Sequence, residues 1–376
     1  MLPVFALLIV LSSCAALKDL GYEDFACDAD LMRRSKPVPK NVHSLRFADI
    51  DIIAGIGDSI TAANGAGADP NDPIAVLIQY RGLAFSMGGD GNLEKHVTLT
   101  NILKKFNPDI FGYSTGTGSA NVWQTARLNA AVPGAVSGDL IGQANDLVRR
   151  MKEHPDIDFI TQWKLVHIFI GGNDLCAWCD HQDTEAPEQF RDNIRAAVQI
   201  LQENLPRTIV VLTGILDFSL LRRVDVNSRF CKALHTDECP CEMSSKVSDE
   251  ALRNASLSYM QREQELEDSG EFDTVDDFTL VVQPFFEDIS DAPRLPNGDP
   301  DLSLFAPDCF HFSQYGHAMV AKNLWNNMNE PVGSKSRVAD LTNTEFPLKC
   351  PDAVGLPLHS NNQEQQRLHS FQDKLT

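Results

Sequence analysis

The stretch Asp49-Ile50-Asp51-Ile52-Ile53-Ala54-Gly55-Ile56-Gly57-Asp58-Ser59 decides the fold. From Ile52 onward its apolar residues do not alternate with polar ones, as they would in a strand with one wet face, and glycine halts the run. This pattern predicts a strand buried on both faces that enters a tight turn. Comparable runs recur at 165–170, 208–212 and 278–282, with shorter candidates at 110–113 and 128–131. Segments of helical character lie between them, at 139–152, 187–203, 244–268 and 314–327. Buried strands separated by helices predict an α/β chain with three layers, α/β/α, around a mostly parallel sheet. In such sheets ligands sit beyond the carboxyl ends of the strands, so the residues after each strand are the ones to examine.

Gly57-Asp58-Ser59 follows the first strand, and a serine there holds its hydroxyl at the mouth of the sheet. Taken alone the tripeptide is equally a simple turn or a helix N-cap. Gly171-Gly172-Asn173-Asp174 follows the run at 165–170, and at that height the Asn173 amide can donate a hydrogen bond to a developing oxyanion. The bland alternative is a glycine-rich turn closed by an Asx hydrogen bond. Just before the last helix comes Pro307-Asp308-Cys309-Phe310-His311. An acid three residues ahead of a histidine can meet its Nδ1 across a turn, leaving Nε2 to take a proton from a serine hydroxyl. His317 lies inside the helix with no acid at that spacing, and its expected role is packing.

In this order the blocks resemble the SGNH or GDSL-type hydrolase family, whose fold is flavodoxin-like α/β. The resemblance implies Ser59 as nucleophile, Asp308 and His311 as acid and base, and Asn173 with the Ser59 backbone N–H in the oxyanion hole. The family's remaining block supplies a glycine N–H to that hole, and Val136-Ser137-Gly138-Asp139 nominates Gly138. Gly57 to Ala62, Asn129-Ala130-Ala131-Val132-Pro133-Gly134-Ala135, Ile170 to Cys176 and Pro307 to Ser313 look more narrowly like the membrane-associated phospholipase B branch. That likeness implies a serine lipid esterase acting on phospholipid and lysophospholipid substrates through an acyl-serine, with no metal or cofactor and with transient contact at a membrane or micelle surface. The rival expectations are a small-ester or carbohydrate acetylesterase and a non-catalytic lipid-binding protein.

Among the 376 residues, 52 acidic against 32 basic side chains leave a formal charge of -20, which repels phosphate backbones and argues for no nucleic acid partner. The acidic stretch 263–277 reads as a solvated face. Residues 2–11 form an apolar run ending in Ser12-Ser13-Cys14-Ala15-Ala16, which predicts a cleaved secretory signal at 1–16 and a secreted, extracellular product. Lipoprotein processing at Cys14 ranks second. Removing the leader leaves eight of the nine cysteines, an even number that suggests disulfides, although eight allow 105 connectivities. By position Cys27 and Cys350 can tie the ends of the domain. Cys176-Ala177-Trp178-Cys179, with His181 nearby, has a redox or zinc spacing but reads better as disulfide-forming in an oxidising compartment. The 231–241 segment is expected to brace a loop rather than cover the site. Asn254-Ala255-Ser256 is a glycosylation sequon. No run approaches the ~20 apolar residues of a transmembrane anchor. The expected organisation is a signal at 1–16, a lead-in at 17–45, a hydrolase domain at 46–330 and a partly disordered extension at 331–376.

Overall fold

Four parallel strands lie side by side in chain order: β1 (Ile50–Gly57), β2 (Trp163–Phe169), β3 (Thr208–Thr213) and β4 (Phe278–Gln283). The structure, a computed structural model, describes residues 17–226, 228–289 and 291–352, so the leader at 1–16 and the polar tail from 353 lie outside it. Every residue of the four strands is buried. That is the physical counterpart of the unbroken apolar runs, because a sheet covered on both faces offers no wet side for polar residues.

The two shorter candidates do not form strands. Phe111 bridges Ile52 and Asn129 bridges Gly55, each as a single parallel contact along the free edge of β1. Gly112, at φ +103°, turns the chain away; a Cβ there would stand 2.3 Å from the Ile53 carbonyl oxygen.

The described residues also hold ten α-helices: α1 (Leu99–Phe106), α2 (Trp123–Ala126), α3 (Leu140–Glu153), α4 (Gly172–Ala177), α5 (Pro187–Asn204), α6 (Leu221–Val224), α7 (Arg229–Glu238), α8 (Pro240–Met243), α9 (Asp249–Asp268) and α10 (Gln314–Met328). α3, α5 and α9 pack in a row over one face of the sheet, and α10 with α1 covers the other. The α/β/α architecture follows. The helix expected from 244 begins only at Asp249, because the Ser248 hydroxyl accepts the N–H of Ala251 and caps it there.

The described ends are woven into this core. Trp325 of α10 packs 4.4 Å from Phe47, centroid to centroid, and donates its indole N–H to the Lys349 carbonyl at 2.8 Å. Asn323 and Asn326 donate to the carbonyls of Asp340 and Pro347. Cys27 and Cys350 are disulfide-bonded, tying the lead-in to the extension as their positions suggested.

Candidate active site

The site starts from the way β1 ends. Gly57 has φ +152°, and a Cβ on it would lie 2.2 Å from the Phe169 carbonyl oxygen, so only glycine lets β1 close this tightly on β2. Gln143 of α3 holds the same residue from the side. Its Oε1 accepts the Gly57 N–H and its Nε2 donates to the Gly57 carbonyl, both at 2.8 Å. The buried Asp58 then accepts the N–H of Ile60 at 2.9 Å and sharpens the turn.

That turn presents Ser59. Its hydroxyl donates to Nε2 of His311 at 2.7 Å, and Nδ1–H of His311 donates to Oδ2 of Asp308 at 2.5 Å. Oδ1 of Asp308 accepts the N–H groups of Phe310 and His311, each at 3.0 Å. Ser59 and His311 retain only 7% and 8% exposure and Asp308 none, so the row works in a largely water-excluded setting. Burial alone would raise the Asp308 carboxyl, but the His311 charge, its hydrogen bond and the two amides together hold it below the usual carboxylate range. Burial opposes charge on His311 as well. Asp308 outweighs it, with Glu238 and Asp58 adding, and the imidazole is raised above its ordinary value. Glu238 itself is pushed up to about 7 by burial and by the neighbouring Asp308.

The loop that carries Asp308 and His311 is closed on itself. Phe305 and Phe312 form an antiparallel bridge, and the Ala306 N–H donates to the His311 carbonyl at 2.8 Å. Cys309 sits at φ +64°, a left-handed conformation that costs a residue with a Cβ about 1 kcal/mol or more. A disulfide to Cys231 of α7 holds it there, and His235 of the same helix donates Nε2–H to the Asp308 carbonyl at 3.0 Å.

Gly138 lies in the turn Ser137–Asp139 that leads into α3, and Asn173 in the first turn of α4. These two turns are bonded to each other. Asn173 Nδ2 donates to the Ala135 carbonyl at 2.8 Å, and the Asp174 carboxylate accepts the Ser137 N–H at 2.9 and 3.0 Å. Burial pushes the Asp174 carboxyl up to about 7. Asp174 was in the quoted sequence block but had no role assigned to it. Gln143, His235 and Glu238 carried no signal, being single polar residues in helices whose partners lie elsewhere in the chain.

The remaining candidates fall outside this row. His317 is fully buried, stacks on Phe85 and accepts the Phe85 N–H at 3.2 Å; burial lowers it to about 3, so it packs as a neutral ring. Cys176 and Cys179 pair with Cys239 and Cys241, so the C-x-x-C spacing serves disulfides, and the 231–241 segment is a braced element. Asn254 stands on the exposed side of α9, whereas Ser256 is buried and accepts the Phe218 N–H. Beside the 305–312 loop lies a cavity of about 280 Å³ lined by Ala66, Phe230, Leu302, Phe305, Pro307 and Cys309 among others. No described helix is long and apolar enough to cross a membrane.

Residues 53–324 match the family model described as GDSL-like Lipase/Acylhydrolase. The chain is 44% identical over 325 residues to "Phospholipase B1, membrane-associated" of Mus musculus, 42% over 325 to that of Rattus norvegicus and 43% over 327 to that of Homo sapiens. Each match covers 85% of this chain but 22% of the relative, so the chain spans about a fifth of the length of these curated relatives. The family match covers well over half of the chain and runs through Ser59, Gly138, Asn173, Asp308 and His311. The chain belongs to the GDSL-like lipase/acylhydrolase family.

Proposed function

We propose that this protein is a secreted serine esterase that removes fatty-acyl chains from phospholipids and lysophospholipids. The observation that carries the proposal is the unbroken hydrogen-bonded row Ser59–His311–Asp308 at the carboxyl end of β1. Ser59 Oγ attacks the ester carbonyl as His311 Nε2 takes its proton, and Asp308 stabilises the imidazolium that results. The N–H groups of Ser59 and Gly138 and the Asn173 amide receive the oxyanion, a contribution of roughly 2.7–4 kcal/mol per donor. His311 then returns the proton to the departing alcohol oxygen. In the second half a water loses its proton to His311 as its oxygen attacks the acyl-serine carbonyl, and His311 passes that proton to Ser59 Oγ as the ester bond breaks and the fatty acid leaves.

The names of the relatives support phospholipid as substrate. Four disulfides fit an oxidising, extracellular setting. Ile74 and Leu77, 75% and 77% exposed, supply apolar contacts for a transient encounter with a membrane or micelle surface. The exposed Asn254 is the residue proposed to carry a glycan.

The test is fatty-acid release from phosphatidylcholine and lysophosphatidylcholine by purified protein, beside Ser59→Ala and short-chain acetyl esters. Lipid hydrolysis that vanishes in Ser59→Ala upholds the proposal. Turnover of acetyl esters alone moves the assignment to a small-ester esterase, and no Ser59-dependent turnover on either overturns the enzyme assignment for these substrates.

A further inference from the structure

His235 stands at the centre of a polar cluster that ester hydrolysis does not use. Its two ring nitrogens face opposite demands. Nε2 lies 3.0 Å from the Asp308 carbonyl oxygen, which can only accept, so Nε2 carries the hydrogen. Nδ1 faces two carboxylates, with Oε2 of Glu242 at 3.5 Å and Oδ2 of Asp225 at 4.0 Å. His235 has no exposure, Glu242 has 1% and Asp225 has 3%, so water does not screen the group. Neither Nδ1 nor either oxygen of Glu242 has a hydrogen-bond partner. Arg222 stands 4.0 Å from Glu242 Oε1, but its N–H groups go to the carbonyls of Cys241, Glu242, Ser244 and Val247 and to Asp249.

A bare imidazole lone pair cannot rest against two carboxylates, so positive charge belongs between them. A proton on Nδ1 would draw a carboxylate to about 2.7–2.9 Å. At 3.5 and 4.0 Å the two carboxylates stand within ion-pair reach of Nδ1 but farther than that bond would draw them. Ligand atoms held tetrahedrally at ~2.1 Å from one ion stand about 3.4 Å apart; here Nδ1 lies 3.5 and 4.0 Å from the two carboxylates, and all three donor atoms lie within 4.8 Å of one another. One imidazole nitrogen with two carboxylates is a zinc-type donor set, whereas calcium takes six to eight oxygens. The outward Nε2–H on a backbone carbonyl is also the arrangement that fixes the tautomer of a metal-bound histidine. Two carboxylates and a neutral imidazole balance one divalent ion.

We propose that Asp225, His235 and Glu242 bind one divalent ion of the zinc class, with water completing the coordination. The ion joins the turn after α6 to α7 and α8 and, through His235, steadies the backbone of Asp308. Three disulfides, Cys231–Cys309, Cys176–Cys239 and Cys179–Cys241, hold the surrounding segment, so the donors are gathered before the ion arrives. No step of ester hydrolysis passes through the ion, and the proposal stands whether or not the chain acts on phospholipid.

The test uses the full chain with its disulfides intact, stripped with chelator and titrated with zinc sulfate, and with calcium chloride in parallel. The expected result is one zinc per chain, a thermal midpoint raised by zinc and not by calcium, and affinity at least roughly 100-fold weaker in the isosteric variants Glu242→Gln and Asp225→Asn. Folded wild-type protein that takes up no zinc, or zinc binding equal in wild type and both variants, overturns it. Should the variants fail to fold, nitrogen NMR of the wild-type His235 ring decides. Zinc shifts Nδ1 while Nε2 keeps its proton, and an Nδ1 that zinc leaves unmoved overturns the proposal.

Discussion

The carboxylate of Asp174 accepts the backbone N–H of Ser137 at 2.9 and 3.0 Å, and so fastens the turn carrying Gly138 to the turn carrying Asn173. Both proposed oxyanion donors are thereby set by one buried side chain that touches no substrate. Asp174→Ala leaves a buried N–H without its acceptor and frees the Gly138 turn. The expected loss is about 10²-fold in kcat with little change in KM, since misplaced donors fail chiefly in the transition state. Asp174→Asn keeps an acceptor oxygen and is expected to recover most of the rate. Steady-state kinetics on a soluble ester check both, and a change in KM alone would assign Asp174 to binding instead.

Glu238 raises His311 through its charge without bonding to it. As the proposed base, His311 works only when neutral, so kcat/KM falls as the pH drops through its raised pKa. Glu238→Gln removes a negative charge that favours the imidazolium, so the imidazole gives up its proton more readily and the acid limb moves to lower pH. Because both groups are shielded from solvent, the shift should persist as salt rises. A pH–rate profile at two ionic strengths reads it; a limb that stays in place would mean that Glu238 is screened from His311.

Gln143 satisfies both backbone groups of Gly57 from a helix 86 residues away. Gln143→Leu keeps the volume and leaves a buried N–H and C=O unpaired. A destabilisation of about 2–4 kcal/mol is expected, from two unmet groups at roughly 1–3 kcal/mol each with partial relaxation. Urea unfolding monitored by circular dichroism measures it, and a loss under about 0.5 kcal/mol would show that another group takes over.

The Cys231–Cys309 disulfide holds the left-handed residue in the loop that carries Asp308 and His311. Replacing both cysteines by alanine releases a link across 78 residues, at an expected cost of about 2–4 kcal/mol. The rate on a soluble ester should fall as well, because the loop can then relax away from φ +64°. Thermal unfolding and initial rates check the two effects separately. Lost stability with an unchanged rate would mean that the Phe305–Phe312 bridge alone sets the loop.

The sequence by itself determined what is written locally. A strand buried on both faces shows as an unbroken apolar run, and the three-residue spacing of Asp308 and His311 on one loop already suggested that their side chains meet. Ser59 stood out by its place just after the first apolar run and by the order of the blocks that follow it, whereas the close approach of Gly57 to Phe169 came only with folding. The weakly paired segments at 110–113 and 128–131 looked like strands because their composition suits one, but Gly112 bends the chain just after the Phe111 bridge and Arg127, at φ +47°, bends it just before the Asn129 bridge. Tertiary structure alone decided that Asp174 holds Ser137, that Gln143 holds Gly57, how the six cysteines other than Cys27 and Cys350 pair, and that Asp225, His235 and Glu242 converge. Each of these links two distant stretches of chain through one polar contact. A contact of that kind leaves no periodicity and no composition bias, and only folding brings its halves within reach.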